Sequence, residues 1–112
     1  MESVGLVDLV GNLLEKARSA SAGRSAQTVH GGQDHHLRQT VIALAGGRAL
    51  GEHESPGEAT LQVLEGTVRL HAGDESWEGA AGDFVLIPPV RHDLEAVTDA
   101  AVLLSVAVHD IS

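Results

Sequence analysis

The sequence has no cysteine, so disulfides, thiolate zinc sites and cysteine nucleophiles are excluded. Aromatic residues make up only 2% of it: Trp77 and Phe84, with no tyrosine. The core must therefore come from Val, Leu, Ile and Ala, and a substrate cage of aromatic rings is not expected. Basic residues are scarce as well. Seven Lys and Arg stand against 16 Asp and Glu, a net charge of −9 with neutral histidines. Nucleic acid is thus not expected as a partner, because phosphate-backbone binding needs a basic footprint. No apolar run approaches the roughly 20 residues of a membrane span, so no membrane partner is expected. The opening MESVGLVDLV carries acids where a signal peptide would carry lysines. The expected location is cytoplasmic. There is also no G-x-S-x-G elbow, no P-loop and no dinucleotide fingerprint.

What is present fits one domain. The 112 residues are 43% apolar, enough for a real core, and 13 glycines imply many turns. Residues 3–20 read as a helix, because Leu6, Val10, Leu13, Leu14 and Ala17 recur at three- and four-residue steps. Ser3 is the expected N-cap and Gly23 the expected stop. SASAGRSA, residues 19–26, reads as a linker, so the division is 1–26 helix and linker, 27–112 barrel. From there on everything reads as β. Gln39-Thr40-Val41-Ile42-Ala43-Leu44 is one strand. Leu61-Gln62-Val63-Leu64 and Val68-Arg69-Leu70 read as a hairpin through Glu65-Gly66-Thr67. Strands at Ser76-Trp77, Phe84-Val85-Leu86-Ile87, 92–97 and 101–108 complete a sandwich or barrel. The last of these is apolar on both faces, so one face meets the core and the other meets the helix or a second chain.

Two stretches carry a family resemblance. Gly47, five residues, His53, one residue and a terminal Gly66 follow the pattern G-x5-H-x-H-x3-4-E-x6-G. Gly82-Asp83-Phe84-Val85-Leu86-Ile87-Pro88 matches the start of G-x5-P-x-G-x2-H, and His92 follows, although in Pro89-Val90-Arg91-His92 the pattern's second glycine is missing and the loop is one residue short. From Leu37 to Val108 the chain resembles the cupin family. The resemblance implies an all-β fold, a cupin jelly-roll or double-stranded β-helix barrel, preceded here by a short N-terminal α-helix. The family's metal ligands map onto His53, Ser55, Ala59 and His92, so only two of four remain. A neutral hydroxyl is a poor ligand beside imidazole or carboxylate, and alanine offers none. Glu58 sits one position away and serves only if the Pro56-Gly57 turn carries a bulge, since one position flips the face of a strand. Gln39, His36 and bound water are the other sources of a third ligand.

His53, His92, Arg91 and Gln39 are accordingly the candidate ligand-binding residues, and His53 with His92 the incomplete metal set. A divalent transition metal (Fe, Mn, Ni or Zn) is the cofactor the resemblance allows, although none is firmly expected. Arg91 suits a carboxylate by its forked geometry, or a surface salt bridge with Asp93 or Glu95. His30, His35 and His36 read as an exposed polar loop able to take metal adventitiously. His71 and His109 are given no role, and Trp77 reads as packing. The first functional expectation is a small-molecule-binding or sensing barrel with a degenerate metal site. The second is a divalent-metal-dependent enzyme of isomerase, dioxygenase or decarboxylase type using His53, His92 and non-standard extra ligands. A homodimer is expected, with the helix joining two chains or covering the barrel.

Overall fold

The structure is a computed structural model and describes residues 1–55 and 57–109. One helix precedes eight strands: α1 (Leu6–Ser19), β1 (Arg24–His30), β2 (Leu37–Leu44), β3 (Glu58–Glu65), β4 (Thr67–Ala72), β5 (Glu75–Ala80), β6 (Phe84–Ile87), β7 (His92–Ala96) and β8 (Ala100–Ala107). The strands form two antiparallel sheets, of order β1-β2-β8-β3-β6 and β5-β4-β7. Face to face, they make a jelly-roll barrel.

Strict alternation decides which side chains fill it, since successive residues of a strand point to opposite faces. Ala59, Leu61 and Val63 of β3 meet Val68 and Leu70 of β4, Leu94 and Ala96 of β7, and Ala100 and Val102 of β8. The outer face of the large sheet carries a second cluster. There Val41, Ala43 and Ala101 meet Val10, Leu13, Leu14 and Ala17 of the helix. β8 is therefore apolar on both faces because it lies mid-sheet with the barrel on one side and the helix on the other. The helix stripe is covered within its own chain. A marginal helix gains its stability in this way, at ~1.5–3 kcal/mol per buried Val or Leu.

Several local expectations need correcting. The helix begins at Leu6 with Gly5 at the N-cap and no side-chain cap, so Ser3 does not cap it. The supposed linker ends early, because Arg24 already pairs with Leu44 as β1, the edge strand of the large sheet. Its polar residues suit an exposed edge. Glu65-Gly66-Thr67 does not close a hairpin. β3 and β4 belong to different sheets, and the chain crosses between them at Gly66.

The helix is pinned where the barrel turns from β7 to β8. Arg18 donates to Asp99 at 2.7 Å, and the Gly46 N–H donates to the other Asp99 oxygen at 2.7 Å. These bonds, the Arg18 one first, hold the Asp99 carboxyl below its ordinary range. Among the described residues no helix is long and apolar enough to cross a membrane.

Candidate functional site

The segment between β2 and β3 is irregular but not loose. It runs antiparallel to the free side of β7, with bonds Leu50 N–H to Leu94 O at 2.9 Å and Ala96 N–H to Arg48 O at 2.8 Å. The pairing ends in a reciprocal bridge. His53 N–H donates to His92 O at 2.9 Å, and His92 N–H donates to His53 O at 3.0 Å. The two motifs thus lie side by side, and their histidines share a face. The ring centres are 4.3 Å apart and the planes stand at 69°.

His92 is buried, 4% exposed, on the inward face of β7 with Leu94 and Ala96. His53 is exposed. Each ring is tied to the backbone two residues before it: His53 Nδ1 to Gly51 O at 2.9 Å and His92 Nδ1 to Val90 O at 2.9 Å. A carbonyl only accepts, so each Nδ1 carries the proton. In the neutral rings that leaves both Nε2 atoms as lone-pair donors, the tautomer suited to binding metal or accepting a proton. Both rings line one small pocket of about 20 Å³ with Leu61, Ile87 and Leu104. That is room for a water or an ion, not for an organic molecule.

A larger groove of about 550 Å³ lies beside it, over Ser55, Glu58, Ala59, Ile87, Pro88 and His109. Ile87 lines both spaces. Ser55 donates its hydroxyl to Gly57 O at 2.9 Å, so its side chain is engaged in the local turn. Ala59 faces inward, 4% exposed, and Glu58 beside it is exposed. From Glu58 to Val63 the pairing with β8 is regular, so Glu58 does not turn inward. Pro56, which the bulge needed, lies outside the described residues. Among the described residues no group of three His, Cys, Asp or Glu could hold a metal ion. The residues present therefore do not fit the four-ligand metal centre of the resemblance.

Gln39 and Arg91 are not brought to this pair. Gln39 shares the outer face of β2 with Val41 and donates to Ser105 Oγ at 3.1 Å, beneath the helix. Arg91 points outward, but its partners are not Asp93 or Glu95. Its Nε donates to Glu52 at 2.7 Å and its Nη1 to Glu54 at 2.9 Å. The Glu52 bond first, then Glu54, raises the guanidinium pKa. Asp93 instead accepts from Gly51 N–H at 2.8 Å. Sequence reasoning missed this clamp. The signal was there: once His53 is set opposite His92, the residues flanking both must meet on the outer face.

The remaining histidines lie elsewhere. His30 and His35 stack edge to face with centres 5.0 Å apart at an exposed loop, and His36 Nδ1 bonds Val108 O at 2.9 Å. His71 Nε2 bonds Glu95 at 3.1 Å on the outer face of the small sheet, beside Arg69. Trp77 packs against the barrel core.

Comparison with known proteins fits this geometry. Residues 40–108 match the family model described as Cupin domain. Among solved structures, a conserved protein of unknown function from Streptococcus pyogenes is similar, with 27% identity and a TM-score of 0.72 over 81% of this chain and 79% of that one. An RmlC-like cupin from Desulfovibrio desulfuricans shares 26% identity with a TM-score of 0.65 over 75% of this chain and 81% of its own. A cupin superfamily protein from Desulfitobacterium hafniense has a TM-score of 0.71 at 14% identity, over 77% and 78% of the two chains, a likeness of fold alone. No curated protein matches the sequence.

Proposed function

The chain belongs to the cupin family, and we propose that it works as a small-molecule-binding or sensing barrel whose metal site is degenerate. The observation that carries this reading is the replacement of ligand by space. Where the motif would put a second histidine and a glutamate stand Ser55 and Ala59, and the groove of about 550 Å³ opens over both. Groove walls of Ala59, Ile87 and Pro88 with a few polar groups suit a small organic ligand. Ser55, Glu58 and His109 are the polar groups of its lining, and Ile87 separates it from the space lined by His53 and His92. Ligand-observed NMR with a fragment library, followed by mapping of backbone shifts, tests this. Hits that perturb Ser55, Ala59 and Ile87 are expected. Hits confined to other surfaces, or none, would overturn it.

A second reading, a divalent-metal enzyme built on His53 and His92, is favoured by one observation: both Nδ1 atoms are tied back, leaving both Nε2 atoms for a metal. Elemental analysis of tag-free protein separates the two. One transition metal per chain, lost on His53→Ala, supports the enzyme; its absence supports the binding barrel.

For the assembly we propose a homodimer through the outer face of the large sheet. Phe84 and Leu86 on edge strand β6 are 58% and 68% exposed, and they support a contact there. Light scattering of the wild type and of Leu86→Glu tests it, with a dimer mass expected for the first and a monomer for the second. A monomeric wild type would refute the dimer.

A further inference from the structure

We propose that the groove over Ser55, Glu58 and Ala59 binds a protonated amine. The ligand class is a small organic cation with a compact apolar body and N–H donors, its charge held by Glu58. This rests on the reading of the chain as a binding module and names what it binds.

Charge is the first support. The groove, about 550 Å³, lies within the ~300–1,000 Å³ usual for small-molecule sites. Among the described residues, Glu58 is the one carboxylate of its lining, and no Lys or Arg lines it. Arg91, the cation nearest in sequence to Pro89, is held instead by Glu52 and Glu54. Glu52, Glu54, Glu78, Glu95 and Asp99 all have cationic partners, whereas Glu58 has none among the described residues. A carboxylate or phosphate ligand would therefore meet a like charge with nothing to offset it. An organic cation meets the opposite charge, next to apolar walls of Ala59, Ile87, Pro88 and Pro89.

The second support is the balance of hydrogen-bonding groups. The Glu58 carboxylate only accepts. The Ser55 hydroxyl spends its proton on Gly57 O at 2.9 Å, which leaves the lone pairs of Oγ for a ligand. Pro88 and Pro89 have carbonyls and no N–H. Among the described residues, His109 is the one lining side chain with a proton left to donate. A ligand that fills this space must bring the donors, and a primary ammonium brings three and no acceptor. A quaternary ammonium brings none. It is recognised by aromatic faces, and neither Trp77 nor Phe84 lines the groove. A protonated amine thus fits where a quaternary one does not.

The test uses the tag-free full chain and four probes that share one apolar body: cyclohexylmethylamine, its trimethylammonium analogue, cyclohexylmethanol and cyclohexanecarboxylate. At pH 8 the alkylamine is protonated. At 0.15 M salt charge is screened beyond about 8 Å, so a preference that survives is local and not a property of the net charge. In titrations followed by backbone amide shifts, changes are expected to centre on Ser55, Gly57, Glu58 and Ile87. The amine should bind about threefold to tenfold tighter than each of the other three. Glu58→Gln, an exposed substitution that leaves the core untouched, should remove that margin without changing the affinity for the alcohol. Glu65→Gln, an exposed acid at the other end of β3, should leave the amine's affinity unchanged. Binding of the alcohol, the carboxylate or the trimethylammonium probe in the groove as tightly as the amine would overturn the proposal while leaving the binding-module reading intact. Amine binding that Glu58→Gln does not weaken, or shifts centred on another surface, would also overturn it. Silence from all four probes would overturn it too, and silence from the fragment library as well would overturn both.

Discussion

Replacing Gly66 by alanine is expected to destabilise the protein by ~3–5 kcal/mol. Gly66 is the last residue of the first motif and the point where the chain passes from the large sheet to the small one. Its φ is +76°, a region that costs a non-glycine residue ~1 kcal/mol. The larger cost is steric. A Cβ there would stand 2.1 Å from Asp99 O, 2.9 Å from Ala100 Cα and 2.9 Å from Thr98 Oγ1. Two of these atoms are backbone, so the β7–β8 turn must retreat by more than an ångström to reach a contact of ~3.5 Å. That movement strains the bond from Thr67 N–H to Thr98 Oγ1 (3.0 Å) and the bond from Ala81 N–H to Gly66 O (3.1 Å). Loss of one of these bonds costs ~1 kcal/mol, and overpacking ~1–3 kcal/mol. For a domain of this size the sum lowers the melting temperature by roughly 12–25 °C. Urea denaturation followed by Trp77 fluorescence measures it, as a shifted midpoint at unchanged slope. Gly73→Ala is the control for backbone conformation alone. Its φ is +60° but nothing lies within 4 Å of the added methyl, so about 1 kcal/mol is expected. If the two substitutions cost the same, the close approach at Asp99 is not what requires glycine.

Arg91→Ala is expected to speed amide exchange of His53 about threefold to tenfold while the midpoint for global unfolding barely moves, because the Glu52–Arg91–Glu54 clamp is exposed and local; unchanged exchange would mean that the bridge to His92 holds His53 unaided. Leu14→Ala, at a fully buried position on the sheet-facing side of the helix, should cost ~2–4 kcal/mol by calorimetry or urea titration, and a loss below ~1 kcal/mol would show that the helix is not docked as described. Asp99 predicts a pH dependence: its folded pKa is below the unfolded value of ~3.9, so its contribution is present above that pH and lost as pH falls through the folded pKa. Thermal unfolding between pH 6 and pH 2.5 should therefore fall more steeply for the wild type than for Asp99→Asn, and parallel curves would remove Asp99 from the account.

The barrel was legible because its signals are periodic. Alternation in β3 and β4, the continuous apolar run of β8 and glycine-rich turns fix strands whatever lies beyond them. What escaped were features that depend on a partner remote in sequence. Arg24 to His30 carries little apolar residue and reads as linker; it becomes a strand only because β2 offers an unpaired edge. Glu65-Gly66-Thr67 has the composition of a hairpin, yet Gly66 is required by Asp99, 33 residues away in sequence (99 minus 66), rather than by a turn between paired neighbours.

The site divides along the same line. His53 and His92 could be set together from the motifs, since His53 keeps its offset from Gly47 and His92 follows Pro88 with the loop only one residue short. Arg91 and Gln39 could not be placed by residue type alone. A forked cation beside a histidine suits a carboxylate ligand, but the carboxylates it meets are Glu52 and Glu54, one residue to either side of His53. Gln39 needed only parity: it lies two residues before Val41, which packs on the helix, so it cannot face the barrel interior. Parity also shows why Glu58 does not replace the missing carboxylate. A bulge would be needed to turn it inward, and regular pairing of β3 with β8 from Glu58 onward holds it on the outer face. Inserting a carboxylate at the inward position should therefore succeed where Glu58 does not. Ala59→Glu is expected to raise affinity for bare nickel at least about tenfold, with dependence on both histidines, because it restores a third donor on the face that carries them. The substitution buries a carboxyl at a position now 4% exposed, so a fall in stability without metal that metal reverses is part of the same expectation. Metal affinity left unchanged in a folded Ala59→Glu protein would show that Ala59 does not face the two histidines.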